Sequence, residues 1–208
     1  MGFPDLPPDP PTDLQGPPLP ALVSGTSQEF LGQKPLPRVI RDRSLVFVIG
    51  PEGVGKTSVG KVLAGRDAVY LNEEAVLEAL TTHARTRSWS EPLTTAQKLA
   101  LECPCFLDRR PAALAALKLL LRERAGGGRR TIVAEARSGT AIERVMEGVH
   151  PGYRATLVLR FPVGRGRQRF ARRLCEQLNI CPSKALETTH LEPWSYASVR
   201  AHLTQTNG

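Results

Sequence analysis

Cysteine is scarce in this chain of 208 residues, with only Cys103, Cys105, Cys175 and Cys181. Their irregular spacing excludes a disulfide framework. Cys103-Pro104-Cys105 is not a CxxC pair, and no second pair or nearby histidine completes a zinc set. Buried, reduced thiols are the expectation. Aromatic residues make up only 5% of the chain, which leaves few platforms for stacking unpaired bases. No apolar run approaches the roughly 18 residues that span a bilayer. The N-terminus has no basic region followed by an apolar stretch, so it does not read as a secretory signal. Leu6 stands where a myristoylation signal wants Ser or Thr. The expected location is the cytoplasm.

Charge, by contrast, is plentiful and unevenly spread. The formal net charge is +8, carried by many arginines and few lysines. Such a surplus suits an anionic partner (a nucleotide, a phosphorylated substrate or nucleic acid), although abundant Ala, Arg, Gly and Pro also fit a compositional bias. Residues 1–37 hold ten of the 18 prolines, and their acids Asp5, Asp9, Asp13 and Glu29 outnumber Lys34. This stretch cannot bury enough surface to offset its ordering entropy, so a disordered or polyproline II tail is expected over 1–37. Its PxxP spacings, Pro8 to Pro11 and Pro17 to Pro20, could dock a protein partner.

From Arg38 to residue 208 the pattern alternates. Ser44–Ile49 reads as a buried parallel strand, followed by a short helix from Lys56 to Leu63 that stops at Gly65. Ala68–Leu71 is a second strand, and Asn72 caps a helix reaching about His83, with Glu73 and Glu74 in its first turn. Thr94–Glu102 reads as helical. Pro111 opens a strong helix whose Leu114, Leu117 and Leu121 face inward, ending at Gly126–Gly128. Thr131–Ala136 and Ala155–Phe161 are further strands, with a helix from about Thr140 to Glu147 between them. Helices over Arg165–Leu178 and Pro193–His202 complete the chain. The rhythm predicts one α/β domain over 38–208, a three-layer sandwich with a short, mostly parallel sheet flanked by helices.

The most specific stretch is VFVIGPEGVGKT, Val46–Thr57. Gly50, Gly55, Lys56 and Thr57 satisfy G-x-x-x-x-G-K-[ST], in a loop that follows a strand and opens a helix. Backbone N–H groups of Gly50, Pro51, Glu52, Gly53, Val54, Gly55, Lys56, Thr57 and Ser58 (proline excepted) would cradle phosphates at the helix N-terminus. Lys56 would bridge the β- and γ-phosphates, and the Thr57 hydroxyl would bind Mg²⁺. A guanine-reading NKxD and a strand-terminal DxxG are both missing, which disfavours a GTPase switch. GxGxxG spacing fails, which disfavours a dinucleotide-binding Rossmann domain.

On these residues the chain resembles the P-loop NTPases, and in size and spacing its layout looks most like their small-molecule and nucleoside kinases. The resemblance is specific over Ile49–Ser58 and rests on element order as far as about Leu178. It implies ATP and Mg²⁺ as cofactors, a small hydroxyl-bearing acceptor, an acceptor-binding acid at Glu73 or Glu74, and an arginine-bearing lid. That lid would be GRGRQRFARRLCEQL, where Arg165, Arg169, Arg172 and Arg173 share one helical face. At the tip of the third strand, Glu135 could hold Mg²⁺ through water or orient an attacking group. Glu135-Ala136-Arg137-Ser138 departs from the Glu-Arg-Ser of nucleoside kinases. No acceptor-binding motif or fifth strand after residue 180 is evident. Two functions follow: an ATP/Mg-dependent phosphotransferase, with Lys56, Glu73, Glu135, Arg165, Arg169 and Arg172 as its catalytic set, or a nucleotide-binding regulatory protein that recruits a partner through its tail. The few aromatics disfavour a nucleic-acid surface.

Overall fold

Leu45–Ile49 is β2, five apolar residues of which the first four are buried. A strand apolar on both faces needs helices above and below it, and the chain supplies them. The computed structural model describes residues 21–32, 37–104, 106–135, 141–191 and 194–205. The other strands are β1 (Ala21–Thr26), β3 (Val69–Leu71), β4 (Lys98–Cys103), β5 (Arg130–Glu135) and β6 (Arg154–Arg160). The α-helices are α1 (Ser27–Gly32), α2 (Arg38–Arg41), α3 (Lys56–Ala64), α4 (Glu73–Thr86), α5 (Glu91–Thr95), α6 (Pro111–Gly126), α7 (Ala141–Glu147), α8 (Arg165–Leu178) and α9 (Tyr196–Gln205). A 3₁₀ stretch, Pro182–His190, joins the last two.

The sheet runs β1-β6-β2-β5-β4-β3, and every pairing is parallel. Phe47, Leu99, Leu101 and Val133 pack with Leu80, Leu117 and Leu121 of α4 and α6 on one face. Val46, Val48, Ile132 and Ala134 pack with Val59 and Leu63 of α3 on the other. The three-layer α/β reading therefore stands. A third cluster, Ala171, Leu174, Cys175, Ile180, Trp194, Val199 and Leu203, holds α8, the 3₁₀ stretch and α9 together. Among the described residues no helix is long and apolar enough to cross a membrane. Cys103 and Cys175 are buried and Cys181 is exposed; Cys105 lies outside the described residues.

Two readings of the sequence are corrected. Residues 1–37 do not all form a tail, because Ala21–Thr26 pairs along its whole length with β6 (Ala21 to Ala155, Thr26 to Arg160). The remaining tail, 1–20 with both PxxP spacings, lies outside the described residues. Proline density misled here: none of the ten early prolines falls within ALVSGT, which forms a short strand. The chain after residue 180 adds no strand among the described residues, so the edge beside β6 comes from the N-terminal side.

The second correction is Thr94–Glu102, read as helix, where α5 ends at Thr95 and β4 begins at Lys98. KLALEC consists of helix formers, yet tertiary context overrides them. The guanidinium of Arg124, buried in α6, accounts for the break. Its Nη1 donates to Leu93 O at 2.8 Å, its Nη2 to Ala96 O at 2.9 Å, and its Nε to Thr131 Oγ1 at 2.8 Å. These carbonyls find their donors in α6 rather than in a following helical turn, and Arg130 N donates to Gln97 O at 2.9 Å. Burial, with Arg129 nearby, lowers the Arg124 pKa to about 10. A cation bonded to carbonyls without a carboxylate partner carries an unrelieved desolvation cost, so removing its hydrogen bonds would strand several buried acceptors at once.

Candidate nucleotide site

The phosphate loop bends between the end of β2 and the start of α3. Gly55, the N-cap of α3, sits at φ 89°, ψ 26°, and Gly53 at φ 73°, where a side chain would be strained. A Cβ on Gly53 would also come within 2.9 Å of Ser195 Cβ. Val54 is fully buried in the core beneath, while Pro51, Glu52 and Gly53 are exposed. The loop is thus anchored at one point and open along its outer edge, with Ser58 exposed one turn into the helix.

Lys56 is buried and folds back along the loop, its Nζ donating to Gly50 O at 2.7 Å and Pro51 O at 2.9 Å. Burial lowers its pKa, partly offset by the negative charges of Glu135 and Glu52. An ammonium held by neutral carbonyls gains more from a phosphate oxygen than from either of them.

Thr57 shows what the sequence did not. Its hydroxyl donates to Glu102 Oε1 at 2.6 Å, and Glu102 Oε2 accepts from the backbone N–H of Glu73 at 3.3 Å. Tyr70 on β3 also donates its phenol to Glu102; burial first, and then that carboxylate, raise the Tyr70 pKa well above the usual range. Lys61 Nζ lies 3.8 Å over the Tyr70 ring. Glu102 is the penultimate residue of β4, two strands from the loop strand, and went unread because its strand was taken as a helix. The available signal was the parallel between KLALEC and TIVAEA, two apolar runs closing on a glutamate.

Glu135 occupies the tip of β5, beside β2, and is buried. Gly50 N approaches its Oε2 at 3.5 Å, a long contact, and its charge reaches Lys56. Glu73 meets the site through its backbone amide. Glu74 is exposed and faces an open groove with Leu77, Glu78 and Arg110. Both acids sit in the first turn of α4, where Asn72 Oδ1 accepts from Ala75 N at 3.0 Å. The segment Ala136–Thr140, with Arg137 and Ser138, lies outside the described residues.

The arginines expected of a lid lie away from the loop contacts in this structure. Arg165, Arg169 and Arg172 line an open cleft with Gln168, and among the described residues none of the three makes a hydrogen bond or ion pair with the phosphate loop. What does reach the loop is the start of α9. Ser195 lies against Gly53, and Ser27 Oγ, next to Gly55, donates to Tyr196 OH at 2.7 Å. Phe161, Phe170 and Trp194 surround the Tyr196 ring.

Thr57 and Glu102 offer hard oxygen donors side by side, which suits Mg²⁺. Among the described residues there is no cluster of three or more His, Cys, Asp or Glu side chains that could hold a metal alone. A magnesium that shares its shell with phosphates and water needs only one or two protein oxygens, so the donor set fits.

No protein-family model matches the chain, and no curated protein matches its sequence. Solved structures do match in fold. Domain III of the replication initiation protein DnaA from Thermotoga maritima superposes with a TM-score of 0.65 at 14% identity, covering 86% of this chain and 80% of that one. Replication initiator DnaA bound to AMPPCP and single-stranded DNA gives 0.60 at 13%, covering 81% and 57%. AMPPCP-bound DnaA from Aquifex aeolicus gives 0.60 at 13%, covering 78% and 54%. The chain spans little more than half the length of the latter two. These similarities lend the small-molecule-kinase likeness no support. At such identities they speak for the fold, and this chain has the α/β fold of the P-loop NTPases.

Proposed function

We propose that the chain binds ATP with Mg²⁺ on the loop Gly50–Ser58 and works as a nucleotide-dependent regulatory domain in the cytoplasm, with water rather than a small hydroxyl compound as any phosphoryl acceptor. The observation that carries this reading is the 2.6 Å hydrogen bond between Thr57 and Glu102, one residue from Lys56. It places a metal-suited oxygen pair beside a lysine free to exchange loop carbonyls for phosphate. Lys56 would bind the terminal phosphates. Thr57 and Glu102 would hold Mg²⁺, which when bound screens phosphate charge and polarises the phosphoryl group. Glu135, buried near Gly50 N, is the group placed to orient a water.

The fold neighbours support the nucleotide class, since two of them were solved with AMPPCP. The unit concerned includes Ala21–Thr26, because β1 belongs to its sheet.

The test is thermal stabilisation by Mg-ATP beside Mg-GTP, together with ADP release in the absence of any acceptor. Saturation at about a hundred times Kd stabilises by about 2.7 kcal/mol, a readily measured shift in Tm. Absence of any Mg-ATP shift would end the nucleotide reading. ADP release that requires an added nucleoside or metabolite would restore the phosphotransferase.

A further inference from the structure

Helix α8 carries five arginines and a single acid, Glu176. Its inner side is fixed: Ala171, Leu174 and Cys175 are buried, and the Phe170 ring lies 4.3 Å from Tyr196 and 5.8 Å from Trp194. Arg167 belongs to that inner side, with Nε donating to Pro162 O at 3.2 Å and the guanidinium 5.2 Å from the Trp194 ring. The other four, Arg165, Arg169, Arg172 and Arg173, are exposed on the outer face. Among the described residues no carboxylate forms an ion pair with any of them. Like charges one helical turn apart repel, so this face is held in a state that an external polyanion would relieve. Arg165, Gln168, Arg169 and Arg172 line an open cleft of about 390 Å³ there.

The kind of polyanion follows from what the face lacks. Single strands are gripped largely by stacking their bases on aromatic rings. The helix's one aromatic, Phe170, is turned inward and committed to Trp194 and Tyr196. What remains is guanidinium chemistry, which suits phosphate oxygens and reads no bases. Four residues of helix advance the chain by about 6 Å, so successive arginines can meet successive phosphates along one groove edge. The third core locks the helix beneath them, which lowers the entropy lost on docking.

We propose that the outer face of α8, formed by Arg165, Gln168, Arg169, Arg172 and Arg173, docks on the phosphate backbone of a nucleic-acid duplex without reading its sequence. The surface uses none of the phosphate loop's own residues, so the proposal does not rest on nucleotide binding there.

Fluorescence anisotropy with a labelled, mixed-sequence DNA duplex over a salt series tests it. Binding by the wild-type chain should weaken linearly in log–log form as salt rises. The triple variant Arg165→Gln, Arg169→Gln, Arg172→Gln should bind at least about tenfold more weakly at low salt, with a slope shallower by about 2.7, roughly 0.9 per lost phosphate contact. The corresponding triple lysine variant should keep most of that slope, and Arg66→Gln, on a distant exposed turn, should behave as wild type. Should the triple variant melt abnormally, Arg169→Gln alone must still lower the slope by about 0.9. Unchanged duplex affinity in the glutamine variants overturns the proposal. So does tighter binding of a single strand of the same length, or of polyglutamate, which would point to an acidic protein partner instead.

Discussion

Two adjacent parallel strands, β4 and β5, both run through apolar residues into a glutamate at the edge of the phosphate loop. Their tips behave differently. Glu102 accepts hydrogen bonds from the hydroxyl of Thr57, the phenol of Tyr70 and the amide of Glu73, so its position is fixed from three elements. Glu135 is more deeply buried, and its interactions include a 3.5 Å approach from Gly50 N and a charge interaction with Lys56. Register explains the contrast: Glu102 pairs with Ala134, on the α3 side of the sheet, whereas Glu135 pairs with Cys103, on the other. One residue's difference in where a strand ends decides whether its carboxylate meets the threonine or the lysine.

Lys56 is the cation expected on the terminal phosphates, so its removal should have the largest effect. Lys56→Ala should weaken Mg-ATP binding by about 3 kcal/mol, roughly a hundredfold, as measured by titration calorimetry. The comparison itself is tested by paired substitutions. Glu102→Gln should raise the magnesium concentration needed for half-maximal ATP binding about tenfold, about 1.4 kcal/mol, while Glu135→Gln should leave it within about twofold. If Glu135→Gln moved the magnesium requirement more, the metal would belong to β5 and the assignment would reverse.

A smaller effect is expected at the prop behind Glu102. Tyr70→Phe should cost about 1 kcal/mol for one hydrogen bond. The pKa of Tyr70 is raised on folding, so its contribution is complete below about pH 10, the ordinary tyrosine pKa, and is lost as pH climbs toward the folded value. Melting curves at rising alkaline pH should therefore fall less steeply for Tyr70→Phe than for wild type. Equal slopes would detach Tyr70 from Glu102.

The more regular parts of the fold were legible in the sequence. VFVIGPEGVGKT declared both its strand and its loop, because glycines at left-handed positions and a lysine at fixed spacing have few other uses. TIVAEA is rich in β-branched residues and read correctly as a strand. KLALEC is not, and only its neighbours (β3 and β5 on either side, Arg124 holding the carbonyls before it) make it extended. Glu102, the carboxylate that meets Thr57, was hidden by that one misreading. Proline-rich surroundings concealed β1 for a related reason, since composition averaged over a long window hides six residues that pair with a distant partner. The arginine stripe of α8 was visible as a pattern, but helical periodicity alone does not say which way such a face points.

The pairing of β1 with β6 bears on how the chain reaches this state. Ala21 must meet Ala155, so the earliest of the described strands to be made is among the last to find its place. During synthesis the sheet can assemble through β2, β3, β4 and β5 while the N-terminal segment waits for β6 to emerge. Closure of that edge is a high-contact-order event, slow by nature and exposed to mispairing while it is pending.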